Sequence, residues 1–539
     1  MSLLLHIAPS DLGLPDKFSE YRSGQAEAID WSLSSEKAIL AASAPTGIGK
    51  SLWGVTTAVA SASKTVYLTA TKALQNQVVS DFASCGMTDI RGRANYPCSR
   101  YTDRFKRAVT CDEGADHNCS LATTTDCPYM KAAQKAEAAQ LVCTNYSYWL
   151  HARANNPLAL STEDNPVELL ICDEAHNAPS ELASYLEIAL TDEEISSHAC
   201  PTRNGLMNES AGRAWKTWAA QQAKDISAQQ RDLAKQYGSV AKAKQIEGEL
   251  YVGLEKLKTK LQRVGSMDDN WVWERTDTGV LFSPIWTGRY ADLLFSGVPR
   301  ALLYSATLRP YTLSQLGLAK QDYEYREFTN GWPANFGPVY YLPTVRLNYK
   351  STEDDYRKMV AQVDAILAAR SDRKGIIQTV SYARMKQVLE LSRFTKQMHW
   401  NANSGASTET ARRYRSARPP ATLVSPSYGT GWDFAYDQCE YQILIKVPFP
   451  YSESRVMQER CKDETYRIAS AMTEVQQMIG RGRRAPDDRC ETFILDAAWP
   501  LVCAKGKQYA PRGFNPHKII TLPKAPQKIK KFALGVAIG

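Results

Sequence analysis

The stretch Ala44-Pro45-Thr46-Gly47-Ile48-Gly49-Lys50-Ser51 carries the residue types that a phosphate chain requires. A glycine-rich turn running into a helix offers backbone N–H groups and the positive end of the helix dipole to an anion. Lys50 is placed to reach the β- and γ-phosphates of a nucleotide, and the Ser51 hydroxyl to hold Mg²⁺. Thr46, Gly47 and Gly49 complete the cradle. The first glycine of the usual pattern is replaced by Ala44. Taken alone, G-x-G-K-S also fits an ordinary glycine-rich turn, so a second nucleotide-facing element is needed.

That element is the apolar run Leu169-Leu170-Ile171-Cys172, which ends in Asp173-Glu174-Ala175-His176. A strand that stops at two carboxylates sets them at the carboxyl edge of a sheet, where open α/β sheets bind ligands. Asp173 would hold Mg²⁺ through water, and Glu174 would orient and deprotonate an attacking water. An acidic helix start is the bland alternative, and the phosphate loop makes it the weaker one. Together the two stretches point to hydrolysis of a nucleoside triphosphate, with ATP and Mg²⁺ as cofactors.

Cysteines form the third chemical signal. Cys98, Cys111, Cys119 and Cys127 fall within thirty residues with the spacing C-x₁₂-C-x₇-C-x₇-C. Such a cluster in a cytosolic chain indicates metal before disulfide. It lacks the C-x₂-C pairs of structural zinc sites, and wide spacing favours an iron–sulfur cluster over zinc. Arg91, Arg93, Arg100, Arg104, Lys106 and Arg107 crowd around the first ligand beside Tyr96 and Tyr101. Such a surface suits a nucleic-acid backbone, although a charge run is also what a solvated face looks like. Cys143 and Cys172 lie in apolar surroundings and read as core thiols.

The elements that must position these groups follow α/β grammar. A helix around Gln25 precedes the strand at 38–42, a helix is expected over 51–62, and the next strand is Thr65–Thr69. Thr69 to Gln75 then offers hydroxyls to a nucleic-acid backbone. Gln25 is a candidate for reading the adenine or, equally, a solvent-facing helix residue. From Asn208 to Arg263 the composition turns helical, with Trp215, Trp218, Leu233, Tyr237, Leu250 and Leu254 at core-like spacing. Strand grammar resumes at Ala301–Leu308 and continues through Lys374–Tyr382, Ala421–Asp433 and Ile443–Pro450. Gln477-Met478-Ile479-Gly480-Arg481-Gly482-Arg483-Arg484 supplies planar guanidinium groups suited to charge on a transferring phosphoryl group. The 539-residue chain has a net charge of +8, is 44% hydrophobic and 23% charged, and has no apolar run of membrane-spanning length. Neither a membrane span nor a signal peptide is expected, which assigns the chain to the cytoplasm.

In this order the pieces resemble the superfamily 2 helicases of the XPD/DinG branch. A-P-T-G-I-G-K-S resembles motif I, D-E-A-H motif II, S-A-T-L motif III and Q-M-I-G-R-G-R-R motif VI. S-Y-G-T-G-W-D-F followed by K-V-P-F-P resembles motif V. The cysteine segment and the helical insertion resemble the branch's iron–sulfur and arch domains. The resemblance implies an α/β chain of two RecA-like motor domains. Motor 1 would occupy 1–85, 146–185 and 281–315, interrupted by an iron–sulfur domain at 86–145 and a helical arch domain at 186–280. Motor 2 would occupy 316–539. It implies a 4Fe-4S cluster on Cys98, Cys111, Cys119 and Cys127, and ATP bound between the motors. Lys50, Asp173, Glu174, Gln477, Arg481 and Arg484 would be catalytic, with Gly431 and Asp433 coupling nucleotide state to grip on DNA. The implied partners are single-stranded and forked duplex DNA, travelled 5′→3′ by a monomer. Thr430 stands where the family usually has glutamate, a departure within motif V. Two other readings remain open: an ATP-switched nucleic-acid-binding accessory factor without processive unwinding, and a motor that travels on RNA.

Overall fold

The computed structural model describes residues 7–526, except 104, 117–125, 156–159, 197–211, 333, 404, 406, 427–433, 435, 451–452, 484 and 513. They form two compact units, Met1–Asn330 with Pro450–Arg467, and Gly331–Phe449 with Ile468–Gly539.

The strands of the first unit are β1 (Ile39–Ser43), β2 (Thr65–Thr69), β3 (Thr88–Asp89), β4 (Pro97–Thr102), β5 (Ala108–Thr110), β6 (Leu141–Asn145), β7 (Leu169–Asp173), β8 (Ile188–Thr191), β9 (Trp271–Thr276), β10 (Gly279–Pro284), β11 (Arg300–Ser305) and β12 (Tyr323–Glu327). Seven of them make a parallel sheet in the order β12-β1-β11-β7-β2-β6-β3. Its central strands β2 and β7 are buried at every position, as expected where helices cover both faces. Alternation divides the core by face. Leu40, Ala42, Tyr67 and Ile171 pack on one side, and Ala41, Val66, Leu68, Leu170 and Cys172 on the other.

Two insertions leave this sheet. Between β3 and β6, strands β4 and β5 form an antiparallel pair followed by the helix Cys111–Asp116. Between β7 and β11, the helices Gly212–Gln236 and Gly248–Gly265 pack Trp215, Trp218, Ile226, Leu254 and Leu261 together. Leu250, expected in that core, is exposed. This insertion is not purely helical. The antiparallel sheet β8-β10-β9 contributes Ile188, Val280 and Phe282 to the same core. The helix Arg455–Arg460, remote in sequence, joins it: the Arg455 guanidinium lies 4.5 Å from the Trp273 ring centre, and the Arg455 backbone N–H donates to the Glu274 carboxylate at 2.7 Å.

The sequence expectation began the second α/β domain at 316. The structure instead pairs β12 with β1 from Ile39↔Tyr323 to Ser43↔Glu327, which carries the first unit to Asn330. Tyr-Glu-Tyr-Arg-Glu alternates as any edge strand does, and alternation does not say which sheet a strand joins.

The second unit holds β13 (Val339–Tyr341), β14 (Lys374–Gln378), β15 (Met398–Trp400), β16 (Ala421–Ser425), β17 (Tyr441–Leu444), β18 (Glu491–Ile494) and β19 (His517–Lys518). They form a parallel sheet in the order β15-β16-β14-β17-β18-β13-β19. Among the described residues, no helix is long and apolar enough to cross a membrane.

Candidate nucleotide site

The phosphate loop links β1 to the helix Lys50–Ser61. Gly47 and Gly49 have φ of 81° and 86°, the left-handed region that only glycine enters without strain. A Cβ on Gly49 would lie 2.5 Å from the Gln25 side-chain nitrogen, a second reason for glycine there. Ala44 lies outside the left-handed region and is fully buried, its N–H donating to Ser305 O at 2.9 Å, so alanine serves at the first position of the pattern.

Three side chains brace the loop by its carbonyls. Arg22 donates to Gly47 O at 2.7 Å, Gln25 to Gly49 O at 2.7 Å, and Asn330 to Thr46 O at 3.1 Å. Tying down the carbonyls leaves the N–H side of the turn for an anion. Gln25 is therefore no solvent-facing residue. It is fully buried, and its amide oxygen accepts from the Arg22 N–H at 2.9 Å. Arg22 and Asn330 went unseen in the sequence. Asn330 lies far down the chain from Thr46, and a lone asparagine before a glycine carries no signal of such a contact.

Asp173 and Glu174 stand where β7 leaves the sheet. Glu174 has φ 47°, left-handed for a residue with a side chain, and such strain costs on the order of 1–3 kcal/mol. Its N–H donates to Asp173 Oδ1 at 2.8 Å. Its carboxylate accepts from Ser305 Oγ at 3.0 Å and lies 3.6 Å from Lys50 Nζ and 3.3 Å from His176 Nδ1. His176 Nδ1 and Ser305 Oγ are 2.7 Å apart, so motif II and motif III residues share one hydrogen-bond network. Burial, then the Glu174 charge, pushes Asp173 up to about 6, against the pull of Lys50 and Tyr67. Burial also pushes Glu174 up, but the Lys50 charge and the hydrogen bonds from His176 and Ser305 outweigh it and hold this carboxyl well below the usual range. The pair thus separates into one carboxylate kept ionised and one that takes a proton more easily. The hydroxyl of Ser51 and the carboxylate of Asp173 are hard oxygen donors of the kind Mg²⁺ prefers.

Gln477 lies in the last turn of the helix Glu464–Ile479, whose Ile468, Met472, Val475 and Met478 are buried in the second unit. Arg481 follows in the turn Gly480–Gly482 and is 8% exposed. Gly482 is held against Cys490, whose Sγ a Cβ would approach to 2.2 Å. Gly431, Asp433 and Arg484 lie outside the described residues.

In the cysteine segment the Cys111 and Cys127 sulfurs are 3.9 Å apart. A Cβ on Gly114, in the helix that Cys111 opens, would meet Cys98 Sγ at 2.6 Å, so the absence of a side chain there admits the third thiol. Burial, then the Cys127 hydrogen bond, pushes Cys111 up to about 11. Cys119 lies outside the described residues, and among those described no group of three or more His, Cys, Asp or Glu is disposed to hold a metal ion. The neighbouring cations are partly engaged locally. Arg91 pairs with Asp89 and Arg107 with Asp103, each at 2.8 Å, and Arg93 lies over the Tyr129 ring. Arg104 is outside the described residues.

A DEAD/DEAH box helicase model matches residues 22–193, and a helicase C-terminal domain model matches residues 366–499. No curated protein matches the chain. The fold is that of solved XPD structures. One, an XPD helicase, is 14% identical with a TM-score of 0.58, covering 92% of this chain and 98% of its own. The S. tokodaii Xpd4 structure is 15% identical with a TM-score of 0.57, covering 90% and 98%. With both helicase domains matched and the XPD architecture present over nearly its whole length, the chain belongs to the superfamily 2 helicases of the XPD/DinG type and is an ATP-hydrolysing nucleic-acid helicase.

Proposed function

We propose that the protein is a 5′→3′ DNA helicase that travels on single-stranded DNA and unwinds forked duplexes, using Mg²⁺-ATP. The observation that carries the hydrolytic part is the convergence of Lys50, Glu174, His176 and Ser305 at the carboxyl edge of the first sheet. Lys50 and the loop N–H groups would hold the phosphates, and Ser51 and Asp173 would hold Mg²⁺, which would supply neutralisation of phosphate charge. Glu174, kept ionised by its neighbours, orients a water and takes its proton. Gln25 acts through the loop it braces, so that nucleotide contact and loop shape are linked. Gln477, Arg481 and Arg484 are the second motor's contribution to charge stabilisation, and Gly431 and Asp433 its link to the track.

A nucleic-acid track, of either sugar, is supported by a turn present in each unit. After β2, Thr69 Oγ1 donates to Thr71 O at 3.4 Å, and Thr71 caps the helix Lys72–Asp81 through Leu74 N. After β14, Thr379 Oγ1 donates to Ser381 O at 3.2 Å, and Ser381 caps the helix Tyr382–Leu391 through Arg384 N. Hydroxyls and a helix N-terminus at a sheet's carboxyl edge suit a phosphate backbone. Cys98, Cys111, Cys119 and Cys127 would hold a 4Fe-4S cluster beside this track. The 3.9 Å approach of the Cys111 and Cys127 sulfurs supports that assignment.

Strand displacement on 5′-tailed and 3′-tailed DNA, run with anaerobically purified protein of measured iron content, tests this reading. Unwinding of the 5′-tailed substrate alone, with several irons per chain, is expected. ATPase stimulated by RNA and not by the matched DNA strand would transfer the motor to RNA. Nucleic-acid binding and ATPase without displacement on either tail would leave a switch in place of a helicase.

A further inference from the structure

Behind Asp173 the first sheet carries two tyrosines that packing alone does not explain. Tyr67 on β2 donates to Asp173 Oδ2 at 2.9 Å, and Tyr304 on β11 donates to the Tyr67 hydroxyl at 2.9 Å. All three members of the chain are sealed from solvent: Tyr67 is 1%, Tyr304 0% and Asp173 2% exposed.

The register builds the arrangement. β7 lies between β2 and β11, with Tyr67 opposite Ile171 and Tyr304 opposite Asp173, so alternation aims both rings at the face on which the Asp173 carboxylate stands. Room for the rings comes from Gly54 in the helix that the phosphate loop opens. A Cβ there would lie 2.3 Å from the Tyr304 hydroxyl and 3.1 Å from Tyr67 Cε2. The Trp53 ring packs on Tyr304 at 5.0 Å between centroids.

A phenol buried in an apolar core is costly unless it is hydrogen-bonded, and phenylalanine would fill the same space. Here the hydroxyls form a line that ends on one carboxylate oxygen, while the Glu174 N–H occupies the other at 2.8 Å. Held through both oxygens, the carboxylate cannot rotate. We propose that Tyr67, backed by Tyr304, is a positioning residue that presets Asp173 for a divalent cation. This rests on the reading above that Asp173 holds Mg²⁺.

Groups that orient metal ligands typically contribute 10–100-fold to metal affinity. The probe is Mn²⁺, its binding to the full chain followed by electron paramagnetic resonance with a non-hydrolysable ATP analogue present. Tyr67→Phe is expected to bind Mn²⁺ about 10–100-fold more weakly, with analogue affinity in the absence of divalent cation unchanged. Tyr304→Phe, which leaves the Tyr67 donor in place, is expected to weaken Mn²⁺ by a smaller factor. Wild-type Mn²⁺ affinity in Tyr67→Phe overturns the proposal. Asp173→Asn separates the two ideas. If it also binds Mn²⁺ like the wild type, the assignment of Asp173 as metal holder falls; if it loses Mn²⁺ while Tyr67→Phe does not, only the positioning role falls. Should Tyr67→Phe not fold, Tyr304→Phe decides, and undiminished Mn²⁺ binding by that variant overturns the proposal.

Discussion

The two units are both parallel sheets covered by helices, yet they use charged residues differently. In the first, Lys50 and Glu174 meet at the sheet edge with 12% and 27% of their side chains exposed, and Glu174 is held in strained backbone. In the second, Arg370 and Glu491 are 0% and 3% exposed, bonded through two guanidinium nitrogens at 2.9 and 3.1 Å. Arg370 also donates to Pro523 O, and Arg373 to Pro526 O, which fastens the segment after β19 to the sheet. Lys446 and Asp496 form a further pair at 2.9 Å with Asp496 fully buried. A charge left accessible at an edge is available to a ligand. A charge satisfied in the interior belongs to the architecture. The two sheets share a fold and differ in which side of their charges is open.

The comparison breaks most readily at Glu174. Glu174→Gln is expected to lower ATP turnover by about 10²–10⁴-fold, the usual contribution of a positioned base, while ATP is still bound. Phosphate release and nucleotide-analogue binding measure the two, and unimpaired turnover would remove Glu174 from the mechanism. The counterpart in the second unit is Arg370→Ala, which leaves Glu491 buried without its partner. A loss of about 3–5 kcal/mol of stability is expected, read from denaturant unfolding. A variant as stable as the wild type would mean that the pair is not structural. The smallest effect concerns what the units share. Thr71→Ala and Ser381→Ala should each lose about 1 kcal/mol, since each removes a helix N-cap. If both turns also hold the track, each variant should need more single-stranded DNA for half-maximal ATPase. A change in only one would show that the two turns are alike in structure and not in use.

Residues that act through their own neighbours along the chain were readable in advance. The phosphate loop and the strand ending at Asp173-Glu174 depend on local backbone geometry, which residue type dictates directly. Ala44 in place of glycine looked like a defect, and the structure removes the objection because that position needs no left-handed backbone. The sheet within the helical insertion was missed, because Trp271-Val272-Trp273 and Gly279-Val280-Leu281-Phe282 are brief apolar runs beside long helices.

What the sequence determined by itself is the α/β class, the kind of chemistry and the residues of its contiguous motifs. Each is specified by side-chain type and spacing over a few residues. Tertiary structure alone decided that Asn330 braces Thr46, that β12 completes the first sheet, that Arg455 packs on Trp273, and that Tyr304, Tyr67 and Asp173 form one line. These pairings join positions a hundred or more residues apart. Their partners are selected by register and packing in the folded sheet, and no local preference along the chain encodes that choice.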